Sequence, residues 1–547
     1  MQGHRTHPGL DGGSLPRGPR AVPAGRLPAA LLAAIGVALA LRLFTLGAWP
    51  LWIDETATAA FAGLSWSELF GTMARLEPTP PTYYALVKLW TGMVGASDAA
   101  LRWPSAVLGA AALLPTYVFC RDAFGPTPAK WAAALLAVSV EHLAHSQEAR
   151  VYSLFFLVFA CGLLSAQRLV AEAGSPGPKR RRPATALCLC CAGMAWLHNT
   201  GAIAAAALFV YAAAALGAER RFSPACARPF LAAGFGAALL ATPALLLAAA
   251  IARDPANGLS WMEAPDFTTA LVVFSAALLV PLPSIIQGLP LLPPGLQAGA
   301  YGVGLAAAFA VLLVSLRPCR TQPQAFGLLA ALLFSFAAFL GVSQIVPVLL
   351  TRTILYTTAL FLPLVAAGLG TAGHGGRLGG LCLFLVLLSS AAVAPAAYLS
   401  PKHNEDWNNV AAKLAGEAGA GEPILVLGAF EAVTLERYLA PRGALRTALT
   451  FVPAAEAERL QGVAAAVMTG SPPLRSDVSP AGLCARIGAA RGLWLVWRRS
   501  PLQPAFRDAV ADVLRGAGSA PLTAEADRRK IWVERWTAPG CAGEAAR

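Results

Sequence analysis

Charge is what this chain most lacks. Only 13% of its 547 residues are Asp, Glu, Lys or Arg, against about 25% in soluble domains. A soluble protein of this length would divide into roughly three or four domains, each needing a charged surface. Hydrophobic residues instead make up 56% of the chain and the mean hydropathy is +0.59, the composition of a polytopic membrane protein. Whole-chain disorder, a coiled coil and a secreted disulfide scaffold are excluded. Phosphate-binding Gly-rich loops of the Walker or dinucleotide type are absent as well, which argues against a soluble nucleotide donor. GLGTAG at 368–373 closes an apolar span, follows no strand and reads as a helix end. There is no internal repeat. No Cys/His pair has metal-ligand spacing: the ten cysteines lie mostly in apolar segments, and Cys188, Cys190 and Cys191 read as small apolar helix residues. The net charge of +13 comes from short basic runs between apolar stretches, without the aromatic-interleaved stripe of a nucleic-acid binder.

Residues 1–28 are rich in Gly, Pro and Arg and read as a disordered cytoplasmic tail. Apolar stretches of helix-spanning length follow at 28–47, 103–122, 128–146, 150–171, 184–198, 199–217, 229–251, 297–316, 324–343, 351–371 and 377–398. In the first of them, Arg42 must snorkel or face inward. The run from Lys179 to Arg182 is the strongest basic cluster and marks a cytoplasmic loop. Arg121 to Lys130, the surroundings of Arg220, Arg221 and Arg228, those of Arg317 and Arg320, and the N-terminus fall on the same side. This bookkeeping keeps loops 48–102 and 252–296 outside. Within them, Thr82 to Val94 is too short to span and reads as an interfacial helix, and 270–286, broken by Pro281 and Pro283, as a second membrane-lying segment. About eleven transmembrane helices result over 29–399.

From Ser400 the apolar runs shorten. ILVLG at 424–428 and LWLVW at 493–497 read as buried strands, and 407–417, 430–439 and 504–516 show helical spacing. Their alternation predicts an extracytoplasmic α/β domain over 400–547. Cys484 and Cys541 both fall in it; a disulfide between them and two free thiols are both open.

Polar residues kept at membrane depth are the informative ones, because each is costly there. Asp54 and Glu55 follow the first span, Glu77 opens EPTPPTYY with Tyr83 in its final pair, and Glu148 and Arg150 end the third span. His198 and Asn199 lie between the fifth and sixth spans, and Arg352 and Tyr356 open the tenth. Taken singly, each is an ordinary interfacial anchor, helix cap or packed histidine. Together they gather carboxylates and arginines at one depth, on the extracytoplasmic side. There a carboxylate can act as general base toward an incoming hydroxyl or amine. Arginines beside it can hold and stabilise a leaving lipid phosphate.

WIDETATAAFA, TPPTYYALVKLW, ALRWPSAVLGA, SQEARVYSLFFL and LTRTILYTTALFLPLVAAGL, in that order, resemble the membrane glycosyltransferases of the GT-C fold. The resemblance is to the bacterial branch related to dolichyl-phosphate-mannose protein mannosyltransferases and the lipid A aminoarabinose transferase. EDWNNVAAKL resembles the start of the soluble domain many members carry. The resemblance covers about residues 29–430 and implies inverting transfer of a sugar from a polyprenyl-phosphate donor to a lipid, glycan or protein acceptor. This transfer would occur on the outer face of a bacterial plasma membrane. By motif, Asp54 would be the catalytic base with Glu55 beside it, Glu77 the second acidic position, Glu148 and Arg150 the second-loop motif, and Arg352 the holder of the lipid phosphate. Two positions depart from the pattern: the usual His-Pro-Pro is Thr79-Pro80-Pro81, and the usual Arg-Tyr is Arg352-Thr353. Some relatives use a divalent metal near the acidic residues; Asp54, Glu77 and Glu148 are the candidates here, and oxygen-ligand sites leave no readable spacing. A transporter or flippase of lipid-linked saccharides would more often show repeats and midplane charges. A non-catalytic scaffold is the other alternative.

Overall fold

A computed structural model describes residues 27–71, 79–173, 181–253, 264–277, scattered positions from 299 to 313, 315–370 and scattered positions from 377 to 403. It further describes 405–419, 421–443, 448–453, 474–475, 477–487, 490–499, 503–527 and 530–537. The helical part comprises α1 (Ala29–Leu43), α2 (Ile53–Gly63), α3 (Trp66–Gly71), α4 (Thr82–Val94), α5 (Asp98–Ala111), α6 (Leu113–Phe124) and α7 (Pro126–Val138). It continues with α8 (Val140–Ser146), α9 (Tyr152–Ala171), α10 (Arg181–Leu197), α11 (Gly201–Ala218), α12 (Pro224–Arg253), α13 (Phe267–Ala277), α14 (Pro323–Ser343) and α15 (Thr358–Leu369).

Five described stretches are long and apolar enough to cross a membrane: Asp98–Phe124, Tyr152–Ala171, Gly201–Ala218, Pro224–Ala250 and Pro323–Ser343. Ala29–Leu43 and Leu355–Leu369 are shorter apolar helices. The expected spans at 297–316 and 377–398 lie largely outside the described residues, as does the tail before residue 27. α4 spans the short stretch Thr82–Val94 expected to be an interfacial helix, and α13 covers the start of 270–286, the rest of which is not among the described residues.

Two expected spans are broken helices. α5 and α6 divide at Ala112, with Pro104 inside α5 and Pro115 in the first turn of α6, where a missing N–H is tolerated. α7 and α8 divide at Ser139, which is extended. That break frees carbonyls of the last turn of α7, and the buried Arg42 guanidinium donates to two of them, Leu136 at 3.2 Å and Ala137 at 3.0 Å. Arg42 also donates to His142 Nδ1 at 2.8 Å, so it faces inward rather than snorkelling. Small residues let helices approach closely: a Cβ on Gly327 of α14 would stand 2.7 Å from the Tyr211 carbonyl of α11.

The second part carries α16 (Trp407–Glu417), β1 (Ile424–Leu427), α17 (Ala429–Leu439), β2 (Ala448–Val452), β3 (Leu474–Arg475), α18 (Pro480–Ile487), β4 (Gly492–Arg498), α19 (Gln503–Gly516), β5 (Pro521–Asp527) and β6 (Ile531–Thr537). The strands form one sheet in the order β3-β2-β1-β4-β6-β5. β1 pairs in parallel with β2 and β4, and β6 pairs antiparallel with β4 and β5. One apolar core packs α16 and α17 on one face, around Trp407, Val426 and Leu435; the other packs Leu483, Val510 and Leu514 on the opposite face. The all-apolar ILVL of β1 is what a parallel strand buried on both faces requires.

Candidate active site

α2 supplies the centre. Glu55 accepts the Trp52 N–H at 3.3 Å in its own first turn, and both Asp54 and Glu55 sit where the helix dipole favours negative charge. The two carboxylates then part. Glu55 is fully buried and takes a bidentate pair from the equally buried Arg102, at 2.7 and 2.6 Å. It accepts the Ala149 N–H at 2.8 Å as well. Arg102 also donates to the carbonyls of Leu46, Trp49 and Pro50 at 2.8–3.0 Å, pinning the loop that leads into α2. Glu55, expected beside the catalytic base, thus takes four hydrogen bonds from within the protein.

Asp54 remains 27% exposed. Its Oδ2 lies 3.3 Å from Arg352 Nη1 and 3.8 Å from Arg150 Nη2. Arg150, from the turn between α8 and α9, also donates to the Asp54 carbonyl at 3.2 Å and to the Tyr84 hydroxyl at 3.4 Å. Ser105 fixes its backbone by donating to the Arg150 carbonyl at 3.1 Å. Arg352 lies over the Trp52 ring, 5.7 Å from its centroid, a cation–π arrangement. Thr353, at the position that departs from the family pattern, donates to the carbonyls of Val348 and Leu350 and accepts the Leu350 N–H at 3.1 Å. It holds the turn carrying Arg352. Two guanidiniums facing one carboxylate leave one net positive charge, a site suited to a phosphodiester anion.

The other expected residues fall around this centre. Tyr83 is buried with its hydroxyl 3.5 Å from Ser105, so the tyrosine that meets Arg150 is its neighbour Tyr84. Glu77 lies outside the described residues. Glu148 is buried between His145 and His403, each 3.0 Å away; burial opposes its charge, yet the two imidazoles hold its carboxyl well below the usual range. At His198 the Thr200 backbone N–H donates to Nδ1 at 3.2 Å. An N–H can only donate, so Nδ1 carries the lone pair and Nε2 the proton. Burial, with Arg150 and Arg352 nearby, lowers the His198 pKa to about 3. The ring is a neutral hydrogen-bond donor.

Among the described residues no group of three or more His, Cys, Asp or Glu side chains could hold a metal. Asp54 is held by arginines and Glu148 by imidazoles; Glu77, the third metal candidate, lies outside the described residues.

Sequence reasoning missed the residues that reach the site from the sheet-bearing part. Glu405 accepts the Ile53 N–H at 3.2 Å and the Trp407 indole N–H at 3.0 Å. Arg498 donates to Glu405 at 3.4 Å and to Glu431 at 3.1 Å. The His403 ring packs on Trp52 at 3.8 Å between centroids. Asp98 of α5 accepts from Arg437 and Tyr438 of α17 at 2.7 Å each. In the helical part Arg102 was missed as well; its one signal was an arginine directly before the apolar stretch 103–122.

No protein-family model matches the sequence, and no curated protein matches it. Solved structures do. ArnT from Cupriavidus metallidurans bound to undecaprenyl phosphate is 15% identical, with 92% of this chain and 97% of that chain covered and a TM-score of 0.51. Its apo state gives the same identity and coverage with a TM-score of 0.52. Archaeal oligosaccharyltransferase AglB from Archaeoglobus fulgidus, in complex with an inhibitory peptide and a dolichol-phosphate, is 12% identical over 89% of this chain and 71% of that chain, at 0.49. The fold is that of the GT-C membrane glycosyltransferases. Within that fold, the likeness to ArnT runs over nearly the full length of both chains.

Proposed function

We propose that this protein is an integral-membrane glycosyltransferase that moves a sugar from a polyprenyl-phosphate donor to an acceptor on the extracytoplasmic face, with inversion. One observation carries the reading: a partly exposed Asp54 held against Arg150 and Arg352, three groups brought from α2 and two distant turns. The arginines would bind the donor phosphate and stabilise its growing charge as the glycosidic bond breaks. Asp54 would take the proton of the acceptor hydroxyl as that oxygen attacks the anomeric carbon. When the phosphate binds, it competes with Asp54 for the arginines and frees the carboxylate to act as base. His198 would add a neutral N–H donor, and Glu55 with Arg102 would hold α2 in place. Cys484 is disulfide-bonded, which supports an oxidising, extracytoplasmic location for the sheet-bearing part.

The test is transfer from a panel of radiolabelled polyprenyl-phosphate sugars into membrane extract, by purified protein in detergent. Label appearing in an acceptor, and lost with Arg352→Met, is expected. Absence of both transfer and donor binding across the panel would favour a scaffold. Binding without transfer, coupled to movement of the lipid in liposomes, would favour a flippase.

A further inference from the structure

Open α/β sheets bind ligands outside the carboxyl ends of their strands, where the strand order reverses. In this sheet that point lies between β1 and β4, whose carboxyl ends are Leu427 and Arg498. That edge faces α2. Arg498 bonds Glu405 and Glu431, and Glu405 accepts the N–H of Ile53, the residue before Asp54. Lys530 stands at the same edge, where its carbonyl accepts the Arg499 N–H at 2.7 Å and closes β6 against the end of β4.

The two cations there differ. Arg498 is neutralised by two buried glutamates. The Lys530 side chain is partly buried, yet its ammonium has no hydrogen bond or ion pair among the described residues. Burial lowers its pKa from the usual lysine value, and the charges acting on it are Glu405, Arg498 and Asp54. Both of those carboxylates are already paired with arginines, Glu405 with Arg498 and Asp54 with Arg352 and Arg150. Among the described residues the half-desolvated ammonium therefore has no anion in direct contact, which is costly unless a ligand supplies one.

We propose that the crevice at the carboxyl edge of β1 and β4 is a second anion subsite, with Lys530 as its cation, and that it takes a phosphate or carboxylate of the acceptor. The assignment to the acceptor rests on the transferase reading. Inversion puts the attacking hydroxyl opposite the leaving phosphate; Arg150 and Arg352 reach Asp54 from the helical part, whereas Lys530 belongs to the sheet-bearing part.

The test uses the whole protein in detergent, labelled with pyridoxal phosphate and borohydride and mapped over its six lysines. Lys530 should label faster than Lys88, whose ammonium donates to carbonyls, and faster than Lys413, which is ion-paired. Inorganic phosphate should protect it. Lys530→Arg should remove the label and leave Lys88 and Lys413 unchanged. Labelling no faster than theirs, or no protection, overturns the subsite.

Undecaprenyl phosphate, its binding read separately as a thermal shift lost with Arg352→Met, then tells the two phosphate sources apart. If it binds and leaves Lys530 reactive, the acceptor assignment stands. If it protects Lys530 as inorganic phosphate does, the anion is the donor's and the acceptor assignment is overturned. If the wild type does not bind it at all, the transferase reading and the acceptor assignment fall together, while labelling still reports the anion subsite.

Discussion

Replacing Arg102 by Met isolates what holds α2 in place. The native side chain makes five hydrogen bonds, two to Glu55 and three to the carbonyls of Leu46, Trp49 and Pro50. Both partners are at most 1% exposed, so the variant leaves a buried carboxylate without its counter-ion. Breaking a buried pair from one side costs about 3–5 kcal/mol. Spread over the unfolding entropy of a bundle of about 350 residues, that is an apparent melting shift on the order of 5 °C. The assay is thermal unfolding of detergent-purified protein, with undecaprenyl phosphate binding measured in parallel. Glu55→Met alone should cost a similar amount. The double variant should lose less than the sum, with a coupling of at least about 2 kcal/mol, because removing both charges removes the unpaired one. An Arg102→Met variant melting within about 1 °C of wild type would refute the reasoning, as would strict additivity in the double variant.

Three further outcomes follow from the same contacts. Arg352→Met should weaken polyprenyl-phosphate binding about ten- to hundredfold, the worth of a charge-assisted hydrogen bond, with Arg352→Lys intermediate; isothermal titration in detergent checks this. His198→Phe should weaken the same binding while His198→Gln, which keeps an N–H donor, retains most of it. Because burial and the nearby arginines lower the His198 pKa to about 3, His198 stays neutral, and wild type and His198→Gln should share one pH dependence of affinity between about pH 5 and 8. Glu431 is buried, and burial raises its carboxyl above the ordinary 4.5 despite Arg498. A raised folded value means that its contribution to stability is complete below about pH 4.5 and is lost as pH rises through the raised value. Melting curves from pH 4 to 7 should show a shallower fall for Glu431→Gln than for wild type.

Local patterns in the sequence reported local structure well. Helices stand at Thr82–Val94, Trp407–Glu417, Ala429–Leu439 and Gln503–Gly516, and strands at Ile424–Leu427 and Gly492–Arg498, where length, spacing and apolar runs place them. The breaks at Ala112 and Ser139 were not legible, because a proline or serine inside an apolar run does not by itself end a helix. Nor were the pairings. Glu55 and Asp54 are adjacent and chemically alike, and only the arrival of Arg102, 47 residues on, turns one into a buried anchor. Tyr83 and Tyr84 are told apart by helix phase, which sends one hydroxyl toward Ser105 and the other toward Arg150. Glu405, Arg498 and Lys530 carry no motif, and their meaning comes from which edge of a sheet faces α2.

Asp54 as the base of a sugar transfer is the central claim, and Asp54→Asn tests it most directly. The substitution keeps size and hydrogen bonding but removes the proton acceptor. With undecaprenyl phosphate binding intact, transfer from the productive polyprenyl-phosphate sugar should fall by about 10²- to 10⁴-fold. Transfer at the wild-type rate by a variant that binds donor normally would contradict the account.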